Sequence, residues 1–284
     1  PPNLETSAAS AIECDVIVVG GGPAGLMAAD VLSEHGYAVH VFDRMPSVGR
    51  KFLLAGKGGL NLTHAETFEP FMSRFGASQA QLKPMLMAFN GTAVREWASS
   101  LGVDTFVGTS GRVFPVDMKA APLLRAWLRR LREPSGSRVP VTFHQRHRWV
   151  GWDEDGAMVF QVASGEMLRA KGRASVLALG GASWPQLGSD GDWQPVLMAA
   201  GVSVAPLRPS NCGFDVSGGW TPHFVSRYAG TPLKSVVVRV RLPQTAMGAD
   251  STPVDAQSGL APCVFERKGE CVITQTGLEG SVVY

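Results

Sequence analysis

Residues 15–25 read Asp15-Val16-Ile17-Val18-Val19-Gly20-Gly21-Gly22-Pro23-Ala24-Gly25, and the fold follows from how that run is parsed. After Asp15 come four β-branched residues in a row. Such a run suits a strand buried on both faces, as in a parallel sheet, better than one with a wet face. Three glycines follow with no spacer. Pro23 then stands where a helix tolerates proline, in its first turn. Leu26, Met27, Ala28, Ala29 and Leu32 continue the helix, and Gly36 stops it. A second apolar run, Ala38-Val39-His40-Val41-Phe42, ends on Asp43. Strand, glycine turn, helix and strand make a βαβ unit of about 30 residues.

Gly20, Gly22 and Gly25 satisfy G-x-G-x-x-G in the setting that gives the pattern meaning. Gly20 permits the tight turn. Gly22 lets backbone approach a pyrophosphate. Gly25 lets helix and strand pack closely. The helix N-terminus, entered through Pro23 and Ala24, offers N–H groups and partial positive charge to phosphates. Asp43 ends the second strand, where a carboxylate accepts hydrogen bonds from a ribose hydroxyl. Arg44 follows it. An arginine here accommodates a 2′-phosphate or is an ordinary surface residue, and the surface reading is preferred. The pattern marks a dinucleotide, but NAD and FAD share the ADP half.

The chain has 284 residues, 45% apolar and 18% charged, so it can build one large domain or two ordinary ones. A net charge of +2 is too small to suggest nucleic acid or an anionic membrane as partner. No apolar run is long enough to suggest a membrane span. Cys14, Cys212, Cys263 and Cys271 form neither a C-x-x-C pair nor a disulfide framework. The first residues lack the order of a signal peptide, so the expected location is the cytoplasm. Asn61-Leu62-Thr63 and Asn90-Gly91-Thr92 match the glycosylation sequon by chance. The chain starts on Pro1 and stops within an apolar stretch at Tyr284, which reads as a fragment of a longer protein.

Residues 44–64 read as mostly irregular. Thr92 is the expected cap of a helix carrying Val94, Trp97, Ala98 and Leu101. A second helix, from about Pro122 to Arg132, has an apolar stripe of Leu124, Trp127, Leu128 and Leu131. Arg125, Arg129 and Arg132 form a basic stripe that reads as a solvated face. Asp153-Glu154-Asp155-Gly156 signals a hairpin between Arg148-Trp149-Val150 and Met158-Val159-Phe160. Ser175 to Leu179 is another buried strand, running into Gly180-Gly181. Beyond about Pro195 β-type segments dominate, and Pro243 to Pro262 reads as a flexible loop.

Three features lean toward FAD over NAD. Gly49-Arg50-Lys51 and Gly56-Lys57-Gly58-Gly59-Leu60-Asn61-Leu62-Thr63 form a second glycine-dense region, whose cations and amide suit a large cofactor. The strand into Gly180-Gly181 comes only after several short strands, unlike the compact order of simple dehydrogenases. No second G-x-G-x-x-G follows a strand.

The chain resembles the BaiN-type, aminoacetone-oxidase-like FAD-dependent flavoproteins, often described as NAD(P)/FAD-dependent oxidoreductases. The resemblance rests on Gly20 to Ala28, Gly49-Arg50-Lys51, Gly58 to Thr63, Gly111 to Val116, Lys119-Ala120, Leu177 to Pro185, Gly188-Ser189, Gly191-Asp192 and Thr276 to Gly280. Two departures mark a distinct branch. Gly59-Leu60 stands where the family has Arg-Cys, and Trp193 where it has Gly. The resemblance implies an α/β fold, a Rossmann-like FAD-binding domain of glutathione-reductase type with an inserted β-rich domain. The expected division is a disordered tail over 1–12, the FAD-binding domain over 13–194 with a helical insertion at about 66–135, and the β-rich domain over 195–284. A C-terminal segment beyond residue 284 is expected to complete the flavin pocket, so weak FAD retention is expected of this chain. The resemblance also puts the loop from Arg50 to Thr63 near FAD, with Asn61 as a polar contact and Trp149 offering backbone to the adenine.

The expected activity is transfer of a hydride or two electrons, through FAD, to or from a small organic substrate, with NADH or NADPH as transient reductant. Arg50, Lys51 and Lys57 are candidates to stabilise a reduced flavin anion, or equally to contact phosphate or simply be solvated. Gly58, Thr63, Gly180 and Gly181 complete the expected cofactor contacts. No acid or base stands out among the six histidines, and none has metal spacing. His64 is the first to test, although an ordinary loop histidine is the simpler reading. An NAD(P)-dependent dehydrogenase and a flavin-binding protein without turnover remain as alternatives.

Overall fold

The β-branched run forms a strand, β1 (Ile12–Val19), in the computed structural model, which describes residues 11–55, 58–209, 212–241 and 263–283. Val16 and Val18 pack into one core, Ile17 and Val19 into another, and all four are buried. Covered on both faces, the strand has no use for alternating polar positions. The expectations for residues 1–10, Gly56-Lys57 and Pro243 to Pro262 lie outside the described residues.

The chain divides into two compact units, Pro1–Ala205 and Pro206–Tyr284. In the first, β1 leads through α1 (Pro23–Glu34) to β2 (Val39–Asp43) and α2 (Arg50–Ala55). Next come β3 (Thr63–His64), α3 (Phe68–Ser73), α4 (Gln79–Ala88), α5 (Gly91–Ser100), β4 (Thr105–Val107), β5 (Arg112–Pro115) and α6 (Ala120–Arg132). β6 (Thr142–Gln145), β7 (His147–Trp152), β8 (Met158–Val162), β9 (Met167–Leu177) and α7 (Trp193–Ala199) complete it. The main sheet runs β6-β2-β1-β9-β8-β7. Its first four strands are parallel, and β8 and β7 continue it antiparallel. A small antiparallel sheet, β3-β5-β4, belongs to the segment between α2 and α6.

Several local expectations shift. The stretch 44–64 is mostly irregular, as expected, but it carries one helix the composition does not suggest, α2 over Arg50–Ala55. Phe52 drives this by packing edge-on to Trp127 of α6, 6.2 Å between ring centres. Asn90, not Thr92, caps α5: its side chain accepts from the N–H groups of Thr92 and Ala93, both at 3.0 Å. Asparagine is the better cap and stands one residue before the helix. The strand expected from Ser175 begins earlier, at Met167, because β8 pairs its first half and β1 its second. On α6 the apolar stripe packs as expected, while Arg125, Arg129 and Arg132 are exposed.

The second unit carries an antiparallel sheet ordered β10-β13-β12-β11. Its elements are β10 (Phe214–Asp215), α8 (Pro222–Tyr228), β11 (Pro232–Arg241), β12 (Cys263–Ile273) and β13 (Gly277–Glu279). Helix α8 departs from the expected β character. Its signal was local: the Thr221 side chain caps it, and Pro222 opens it.

One carboxylate ties the helices of the first unit together. Asp30, on the inner side of α1, is 3% exposed. It accepts from the indoles of Trp97 on α5 at 3.3 Å and Trp127 on α6 at 3.0 Å. Arg130 and Arg138 pair with its two oxygens, the latter at 2.8 Å. A charge this deep is stable only when so fully partnered.

On the other side of the sheet, the Phe42 ring stacks between His144 and Phe160, with ring centres 4.3 and 4.0 Å away. His144 Nε2 meets His40 Nδ1 at 3.0 Å. Burial, with the neighbouring His40 and His147, pushes His144 down to about 4.

Asp30→Asn is expected to lower the unfolding free energy by about 3–5 kcal/mol, as for other broken buried pairs, read from urea midpoints. His144 takes up a proton more readily unfolded, at 6.5, than folded, at about 4. Stability is therefore expected to fall as pH drops from 6.5 toward 4. Thermal midpoints across that window check this, and His144→Phe, which keeps the stack on Phe42, should flatten the slope.

Candidate functional site

The parallel strands β2, β1 and β9 end side by side, and a cavity of about 710 Å³ opens at those ends. This is where open α/β sheets bind ligands. The glycine turn forms its floor. Gly20 has φ 107°, and a Cβ there would lie 2.3 Å from the Ala178 carbonyl oxygen. A Cβ on Gly25 would lie 1.9 Å from the Gly20 carbonyl oxygen. Gly22 differs: it caps α1 and lines the cavity, and a Cβ there would meet nothing within 4 Å. No side chain caps α1, so its first-turn N–H groups remain available at the cavity.

Asp43 closes β2 and shapes the turn from the other side. One carboxylate oxygen accepts the Gly21 N–H at 2.7 Å and the other the Met45 N–H at 2.7 Å. Burial pushes its carboxyl up from the ordinary value, opposed by those two N–H groups and the Arg44 and Arg50 charges. Each oxygen keeps a further lone pair for a hydroxyl donor.

Of the residues singled out from sequence, Gly20, Gly22, Pro23, Ala24, Asp43, Arg44, Arg50, Lys51, Asn61, Trp149 and Gly180 line this cavity. Gly25 lies beneath the turn. Gly58, Thr63 and Gly181 are not among the lining residues, and Lys57 lies outside the described ones. Thr63 sits in β3, its hydroxyl beside Gly91. His64 does not line the cavity: its Nε2 meets the Ser110 carbonyl at 3.0 Å, and its Nδ1 accepts the Glu66 N–H at 3.2 Å.

The cations are held in different ways. Lys51 Nζ reaches the Ser183 hydroxyl. Arg50 leans on Ser47 at 3.5 Å, and among the described residues its buried Nε finds no partner. Arg44 sits at the cavity wall rather than in open solvent, paired with Asp190. The Trp149 indole N–H is committed to the Gly151 carbonyl at 2.9 Å. Sequence reasoning passed over His147, Ser189, Asp190 and Asp192 as site residues, although Ser189 and Asp192 fall in the family-like segments. Trp193, the departure from the family glycine, also lines the cavity and donates to the Gly180 carbonyl at 3.1 Å.

A family profile described as "HI0933-like protein Rossmann domain" matches residues 14–278. Over 58 residues, 20% of this chain and 14% of that protein, the chain is 43% identical to a digeranylgeranylglycerophospholipid reductase of Methanospirillum hungatei. Over 50 residues, 18% of this chain and 12% of that protein, it is 44% identical to a ribosomal RNA dihydrouridine synthase of Haemophilus influenzae. Thermovibrio ammonificans THI4 is similar in structure, with TM-score 0.41 and 19% identity over 67% of this chain and 64% of that one. The aligned segments thus span about an eighth of the curated relatives' lengths. No helix among the described residues is long and apolar enough to cross a membrane.

Gly25→Ala is expected to destabilise the first unit by about 1–3 kcal/mol, the cost of an overpacked contact. Gly22→Ala meets no clash and is expected to cost no more than about 1 kcal/mol, the loss from putting alanine at the cap of α1. Paired melting curves check both.

Proposed function

The chain belongs to the HI0933-like protein Rossmann domain family, and from that premise we propose an FAD-dependent oxidoreductase that moves a hydride or two electrons to or from a small organic substrate. The family is that of the BaiN-type flavoproteins whose residues the sequence carries. The observation that carries the proposal is one cavity uniting the glycine turn, the uncapped start of α1 and the Asp43 carboxylate.

The residues present fit FAD. Gly22 leaves room where a pyrophosphate must approach backbone, and Arg50 has an unpartnered Nε beside the same cavity. The volume suits a large ligand. In this reading the α1 N–H groups hold the pyrophosphate, Asp43 the ribose hydroxyls, and the backbone near Trp149 the adenine. When bound, FAD supplies the two-electron chemistry. Arg50 and Lys51 set positive charge in the cavity, which favours an anion there. Asn61 offers an amide to the same space, and Gly180, held by Trp193, closes the wall behind β9. NADH or NADPH is the proposed reductant. The free thiols of Cys14, Cys212 and Cys271 agree with a reducing compartment, and we place the protein in the cytoplasm.

Titration of the full chain with FAD is expected to quench flavin fluorescence saturably. Anaerobic NADH or NADPH should then bleach the flavin absorbance. Asp43→Asn is expected to weaken FAD binding by about ten- to a hundredfold, the worth of a hydrogen bond to a charged group. FAD that binds no better than riboflavin would sink the proposal, because the adenosine half would contribute nothing. Bound flavin that no reductant bleaches would instead point to a flavin-binding protein without turnover.

A further inference from the structure

Directly after Asp43, Arg44 is tied into a charge network. Its Nη1 forms an ion pair with Asp190 and lies 3.8 Å from an Asp192 oxygen. That same oxygen pairs with Arg148 at 2.8 Å. The Asp192 N–H donates to Asp190 at 3.2 Å, and Arg44 Nη2 donates to the Pro185 carbonyl at 3.4 Å. All four charged side chains line the cavity that holds Asp43. Burial opposes the charge on Asp190, yet the Asp192 N–H and the Arg44 guanidinium outweigh it and hold its carboxyl below the usual range. The segment carrying Asp190 is itself seated on the end of β2. A Cβ on Gly188 would lie 2.7 Å from the Met45 side chain.

An arginine that follows the acid of the second strand is the residue type that accepts a ribose 2′-phosphate. Here its charge is already neutralised. Four cations (Arg44, Arg50, Lys51, Arg148) share this cavity with three carboxylates (Asp43, Asp190, Asp192), and the Lys51 ammonium is turned to the Ser183 hydroxyl. Of these cations Arg44 is the one that directly follows Asp43, and its guanidinium is engaged by Asp190 and Asp192 rather than open to a phosphate dianion there. We propose that Asp190, by holding Arg44, makes the site select adenine nucleotides with a free ribose 2′-hydroxyl and reject those phosphorylated there. Asp190 is a positioning residue acting through Arg44, and its role rests on the dinucleotide-binding function proposed above.

The test is calorimetric titration of the full chain, at low salt, with ADP and with 2′-phospho-ADP, which differ in that one group. The parent protein is expected to bind ADP at least tenfold more tightly. D190N/D192N should free Arg44 and narrow that ratio at least tenfold. D190N alone should narrow it less, and D190E, which keeps the carboxylate, should preserve it. Adding R44A to D190N/D192N should remove the gained affinity for the 2′-phosphate, an effect that loosened packing would not produce. Equal binding of the two nucleotides by the parent would overturn the inference. So would an unmoved ratio in a D190N or D190N/D192N variant that still binds ADP. A parent protein that binds neither nucleotide would overturn the dinucleotide site itself, and this inference with it.

Discussion

A Cβ on Gly25 would lie 1.9 Å from the Gly20 carbonyl oxygen, and everything at the cavity depends on that contact. It seats the first turn of α1 directly on the end of β1. The turn between them is then short enough for the Gly21 N–H to meet Asp43 and the Gly21 carbonyl to take the Gly49 N–H at 2.8 Å. On the far side the Ala178 N–H reaches the Val19 carbonyl at 2.8 Å. Three strand ends are thereby held at one level around a helix terminus. A larger residue at position 25 would lift the helix, and the donors of its first turn would no longer face the space between the strands.

Three carboxylates in this unit have three different tasks, each set by surroundings rather than by residue type. Asp30 is buried among two indoles and two guanidiniums and fastens α1 to α5 and α6. Asp43 is bound by backbone N–H groups and retains acceptor capacity at the cavity. Asp190 is bound by an arginine and removes a cation from ligand recognition. The same arginine without that partner would turn the site toward a different class of nucleotide.

What could be read from sequence was local. β1, the glycine turn, α1 and β2 follow from residues within one βαβ unit, and the β7–β8 hairpin from four turn residues. The glycine turn and Asp43 were legible because their spacing is itself the signal. Helix α2 was hidden by its composition. Glycine, arginine and lysine around it suggest a loop, and it is partners mostly far along the chain, Trp127 among them, that explain why Phe52 folds it. Asp30 sits in an apolar helix with nothing nearby to mark it, since its partners are residues 97, 127, 130 and 138. The pairing of Arg44 with Asp190 likewise joins residues with no local relation, so the sequence reading preferred a solvent-facing arginine.

The position of β1 at the sheet centre has a consequence for how the protein is made. One edge of β1 is covered by β2, which follows it after a single helix. The other edge waits for β9, which pairs Ile12 with Ala170 and Val19 with Leu177. During synthesis the nascent βαβ unit therefore presents an open, strongly apolar strand edge while the whole helical segment and the β7–β8 hairpin are still being added. Contacts this distant in sequence are slow to close, and an open edge of this kind invites pairing with other chains. The cavity has no third wall until that edge is closed, so ligand binding in the first unit can begin only late in the emergence of the chain.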